Sequence, residues 1–182
     1  AVELYQRAGS SDDPDVGGVA LLRAAEVQRS SDPASAETSC EQAVSRFPGS
    51  DPAGDCLMLI AELRRERQDW FGAIDAYREF LSQQADDGAA QDVLHEIARC
   101  YVELGEPEQA LMEWTALLER YPQGRLAAAA LLGVARCHDL SGDVGLALSV
   151  YQRVAERFPD QPEAVQALVG EAGCLESLGD LD

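Results

Sequence analysis

Two histidines and five cysteines are the first residues to weigh for chemistry, since imidazole and thiolate most readily form a nucleophile with its base. His95 and Cys100 lie five residues apart on what reads as one helix, so they point to different faces. Cys137 and His138 are adjacent, which separates them as well. Neither pair gives the close contact that covalent catalysis needs. Cys100, Cys137 and Cys174 recur at a constant interval of 37 residues. On successive helix pairs they would be two helix spacings of ~8–10 Å apart, too far to share a zinc through bonds of ~2.3 Å. Their shared position reads as a small packing slot, in which a thiol behaves as a small hydrophobe. Carboxylates are plentiful, but they fall in turns and at helix starts, where capping accounts for them. No glycine-rich phosphate loop follows a strand. The expectation is a chain with no catalytic residue, no metal site and no cofactor.

The same interval organises the elements around these residues. Ala24, Ala61, Ala98, Ala135 and Ala172 recur every 37 residues. A second series, Ala36, Ala73, Ala110 and Ala147, keeps that spacing, and the bulky Tyr77, Trp114 and Tyr151 follow four residues after the last three of them. Leu94, Ile97, Ala98 and Tyr101 sit at helical spacing, as do Ala110, Leu111, Trp114, Leu117 and Leu118, with no competing strand alternation. Turn formers separate the helices: Asp32-Pro33, Asp69, Gly105-Glu106-Pro107, Ser141-Gly142-Asp143 and Leu178-Gly179-Asp180. Each glycine falls where a left-handed helix end is wanted, and each acid sits at the next helix's positive end. The alanines allow two backbones to approach closely while the aromatics fill the gap to the next pair. One helix pair cannot bury both faces alone, so pairs must stack.

The expected organisation follows directly. Residues 1–16 read as the second helix of a preceding repeat plus a loop; 17–53, 54–90, 91–127 and 128–164 as four whole repeats; and 165–182 as the first helix of a truncated fifth. The closing proline of each repeat (Pro48, Pro122, Pro159) is replaced by Ala85 in the second. Both ends fall inside repeats, which leads us to expect a piece of a longer solenoid.

Composition narrows the partners. The 182 residues carry 33 acids against 14 bases, a net charge of −19, and every base is arginine. Such a balance opposes binding to nucleic acid or anionic lipid. No apolar run approaches the ~18 residues a membrane span needs, and the first eight residues do not read as a signal peptide.

Glycine at the inter-helix turn, alanine five residues on, an aromatic four after that and a closing proline resemble the tetratricopeptide repeat. Its usual unit is ~34 residues. The phrases Arg46-Phe47-Pro48, Arg120-Tyr121-Pro122 and Arg157-Phe158-Pro159, with the long unit, resemble the bacterial envelope subfamily of Tol-Pal-associated and outer-membrane assembly lipoprotein-like proteins. That resemblance implies an all-α, right-handed α-α superhelix that binds another protein or peptide without catalysis. It leans towards a bacterial periplasmic or envelope setting, with the cytoplasm as the alternative. The chaperone-tail type of groove is not expected, since it uses Lys and Asn and this chain has neither.

In such a fold the first helix of each repeat faces the ligand. Carried over by spacing, the groove positions are Met58, Glu62 and Arg65, then His95, Arg99 and Val102, then Leu132, Arg136 and Asp139. Arg99 and Arg136 are one period apart, and guanidinium pairs carboxylates bidentately, so an acidic or carboxylate-bearing peptide fits. Alternatively, these arginines pair with Glu62, Glu103 and Asp139 on neighbouring helices and hold the acidic chain together. A second function remains open beside the binding scaffold: a structural spacer or sensor arm of a larger multidomain protein.

Overall fold

Local signals start and stop these helices much as side-chain chemistry requires. Asp32 accepts from the Ser35 N–H at 3.1 Å with Pro33 in the first helical position, Asp69 accepts from the Gly72 N–H at 3.1 Å, and Ser50 caps the helix that follows it. The inter-helix turns share one hydrogen-bonding pattern. Asp69, Glu106 and Asp143 each donate a backbone N–H to the carbonyl five residues back, at Arg64, Tyr101 and His138 (2.8, 2.9 and 2.8 Å). That closure needs a left-handed residue just before it. Gly105 (φ 74°) and Gly142 (φ 80°) supply it, and Gln68 (φ 63°) does so without being glycine.

The computed structural model describes residues 1–84 and 87–179. Ala85, where the closing proline is replaced, and Asp180, at the end of the last turn, lie outside the described residues. Among the described residues there are ten α-helices, one π-helical turn and no strand. The fold is all-α, in helix-turn-helix pairs. The chain divides into two compact units, Ala1–Asp86 and Asp87–Asp182. The first holds α1 (Val2–Ala8), the π-helical turn Pro14–Gly18, α2 (Val19–Gln28), α3 (Pro33–Arg46), α4 (Asp51–Glu66) and α5 (Trp70–Gln84). The second holds α6 (Asp87–Glu103), α7 (Pro107–Arg120), α8 (Ala127–Leu140), α9 (Val144–Arg157) and α10 (Pro162–Leu178).

Within each unit every helix packs on the next in sequence. In the second unit a single apolar core runs through α6 to α10, built on Ala98, Ala110, Trp114, Leu117, Leu131, Ala135, Ala147, Tyr151 and Val154. In the first, Ala24, Ala36, Ala61, Ala73 and Tyr77 are buried, as are Leu57, Ile60 and Leu63. Ala172 departs from the expectation for a structural repeat position: it is exposed, along with Val165, Leu168 and Val169 on the same helix. Among the described residues α10 packs on α9 and α8, and this stripe stays outside both contacts.

Two devices join one repeat to the next. Gly133 and Gly170 lie opposite Trp114 and Tyr151, so close that a Cβ would fall 2.5 and 2.4 Å from the rings. Each glycine is therefore the hole into which the preceding repeat's aromatic fits. The Arg–aromatic–Pro phrases form a staple. Arg46 donates to the Gly9 carbonyl and, at 2.7 Å, to that of Ser11, while Arg157 donates to the Pro122 carbonyl at 2.6 Å. Arg46, Arg120 and Arg157 also stack over the neighbouring Phe47, Tyr121 and Phe158 rings, 4.9, 5.1 and 5.3 Å from the centroids.

Candidate functional site

The first helices of the second unit, α6, α8 and α10, enclose a groove of about 380 Å³. His95, Arg99 and Val102 come to it from α6 and Leu132 and Arg136 from α8, so five of the expected positions meet in one place. Trp114 of α7 lies at its floor, because Gly133 lets the indole pack against α8. The Trp114 Nε1–H donates to His95 Nδ1 at 3.1 Å, with the two rings 6.0 Å apart. The bond makes Nδ1 an acceptor, which places the proton of the neutral ring on Nε2. Asp139 lies outside the groove. Burial first, and then the Asp139 charge, raise the Tyr151 hydroxyl and the Cys174 thiol above their ordinary pKa values.

The arginines in the groove are only lightly neutralised. Arg99 pairs with Glu96 of its own helix at 3.0 Å, its side chain still half exposed. Arg136 donates to the Oε1 of Gln166 on α10 at 2.7 Å and has no carboxylate partner among the described residues. The expected alternative pairs with Glu103 and Asp139 do not form. Glu163, also on α10, lines the groove, and its Oε2 has no hydrogen-bond partner among the described residues.

In the first unit the corresponding charges close on each other. Arg29 bridges Glu62 at 2.7 Å and Glu66 at 2.6 Å. Glu66 first, and then Glu62, outweigh burial and raise the guanidinium above its ordinary value. Arg65 donates to the Tyr77 hydroxyl at 3.3 Å. With Trp70 these four charged residues border a depression of about 430 Å³, and Met58 is not part of it. Further along, Glu37 binds Arg64 and Arg67 at 2.6 and 2.5 Å. Burial pushes its carboxyl up, but the hydrogen bonds from both arginines prevail and hold it below its ordinary value.

Three of the five thiols, Cys40, Cys137 and Cys174, are pushed away from the reactive thiolate. All five cysteines are buried and unpaired as disulfides. Burial pushes Cys137 up to about 11, and the hydrogen bond to Cys56, followed by burial, raises Cys40 as well. A thiol held protonated does not attack.

Spacing alone missed three residues at this site. Gly133 follows Trp114 by nineteen residues, as Gly170 follows Tyr151, and that shared offset was the available signal. Glu163 and Gln166 had no such signal, because they line the groove from α10, one repeat beyond the positions carried over.

Two sequence models, each described as tetratricopeptide repeat, match the chain: one over residues 95–162 and 141–182, the other over 19–50 and 55–87. No curated protein sequence matches it. Among solved structures it is similar to YrrB, described as a TPR protein with an unusual peptide-binding site (16% identity, 100% of this chain, 87% of that chain, TM-score 0.69). It is similar to MamA (15%, 85% of each chain, TM-score 0.65) and to BtubC from P. vanneervenii (16%, 98% and 83%, TM-score 0.69). These likenesses carry the repeat fold and not an envelope subfamily.

Proposed function

The chain belongs to the tetratricopeptide-repeat family, and from that premise we propose that it is a non-enzymatic binding scaffold whose second unit holds a segment of another protein in the groove between α6, α8 and α10. The observation that carries this is Arg136: a guanidinium in an acidic chain, beside Arg99 and apolar Val102 and Leu132, held by a neutral amide. A carboxylate from outside would find there a charge not already taken up by the chain. The segment we infer bears an acidic side chain next to an apolar one. The peptide-binding site named for YrrB is in keeping with such a use of the fold.

The first unit fits a different role. With Arg29, Glu62, Glu66, Glu37, Arg64 and Arg67 satisfied internally, it reads as a structural arm. We take the four whole repeats at 17–53, 54–90, 91–127 and 128–164 as the frame for both. The Arg–aromatic–Pro phrases have a stapling role within the fold, so they give no cellular address.

The test is to pan the 182-residue chain against a random dodecapeptide display library. Clones pairing Asp or Glu with an apolar neighbour are expected, and the double variant R99E/R136E should lose them with its melting temperature unchanged. Clones retained by a variant that melts early would put both arginines in the fold instead.

A further inference from the structure

The two units treat the cation between their first helices in opposite ways. In the first, Arg29 reaches across to α4 and meets two carboxylates, Glu62 and Glu66. In the second, Arg136 reaches across to α10 and meets the amide oxygen of Gln166 at 2.7 Å. An amide oxygen orients a guanidinium nearly as a carboxylate does, but leaves its charge in place. One atom decides the difference, since Glu in place of Gln at this position would convert the contact into an ion pair.

We propose that Gln166 is a positioning and specificity residue: it holds Arg136 across the groove without neutralising it, so that the groove takes a partner segment with a single carboxylate flanked by apolar residues. The inference rests on the groove reading of the second unit. The restriction to a single carboxylate comes from the walls. Glu103 and Glu163 line the same groove as Arg99 and Arg136, and the buried Oε2 of Glu163 has no donor among the described residues. A run of acids would bring its second charge against these carboxylates and against the net −19 of the chain. One carboxylate beside an aliphatic side chain meets Arg136 and Leu132 and avoids that repulsion.

The experiment uses a fluorescein-labelled consensus peptide from the display selection and reads its affinity by anisotropy. For Q166E a partner must first break the internal pair, so binding should weaken roughly fivefold, and added salt should narrow the gap to wild type. Q166M keeps the length of the side chain without charge or acceptor, so Arg136 is left charged but no longer held, and binding should weaken by about twofold, less than in Q166E and without its added salt dependence. A peptide with a second acid beside the first should bind more weakly than the parent to wild type, and should recover on E163Q. Equal weakening by Q166M and Q166E would make Gln166 merely structural, and unchanged binding by Q166E would overturn the proposal while leaving the groove reading intact. A selection that yields no acidic clone at all overturns both.

Discussion

Gly133 places the groove floor. Its missing side chain is the space that the Trp114 indole occupies, 2.5 Å from where a Cβ would stand, and the indole in turn holds His95 through its Nε1–H. A large ring packed between helices cannot swing aside as the end of a flexible chain can. Gly133→Ala should therefore cost about 1–3 kcal/mol and loosen the contact with His95. A thermal melt followed by tryptophan fluorescence checks this, with a lower midpoint and a red-shifted native emission expected. Gly170→Ala, which presses on Tyr151 instead, should lower the midpoint and leave the emission alone. An unchanged melt for both would mean the rings are not held as described. Neither glycine is conspicuous by type, because glycine inside a helix ordinarily reads as a weakness. Only its pairing with the preceding aromatic gives it meaning, and that pairing is tertiary.

Helix boundaries were the most legible part of the chain. Alanines at constant spacing, acids before helices and glycines after them act locally, within a turn of the residue concerned, so sequence carries them openly. Gln68 shows where that legibility stops. It occupies the turn position that Gly105, Gly142 and Gly179 fill, and adopts their left-handed backbone at φ 63°. The hydrogen bond from Asp69 N–H to the Arg64 carbonyl requires this conformation whatever residue is present. A non-glycine residue there costs about 1–2 kcal/mol, partly offset because glycine has more freedom to lose on folding. Gln68→Gly should thus stabilise the chain by about 1 kcal/mol, seen as a higher urea midpoint at unchanged slope. A lower midpoint would mean that the Gln68 side chain contributes more than its backbone strain removes. Groove positions were legible in part for the same physical reason. His95, Arg99, Val102, Leu132 and Arg136 lie on helix faces that periodicity assigns, whereas Glu163 and Gln166 depend on which helix edge comes to face them.

Across the whole molecule, a charge of −19 is distributed by two different rules. In the first unit Arg29, Arg64 and Arg67 close on Glu62, Glu66 and Glu37, while the second closes Arg125 on Asp92 but leaves Arg136 bound to an amide and Arg99 half exposed beside apolar walls. Periodicity sets Arg99 and Arg136 one period apart, and the next step back falls on Glu62, so the register alone does not say which arginine stays open. Which one is closed by a neighbouring carboxylate depends on residues about 30 positions away, such as Gln166 from Arg136, and no local pattern announces them. The account therefore stands on the second unit, and not the first, being where a partner lands. The direct measurement is photo-cross-linking of the selected acidic peptide, carrying benzoylphenylalanine beside its carboxylate, followed by mass-spectrometric mapping. Adducts on the α6, α8 and α10 segments within 95–166 are expected, and adducts concentrated around Arg29, Glu62 and Trp70 would contradict it.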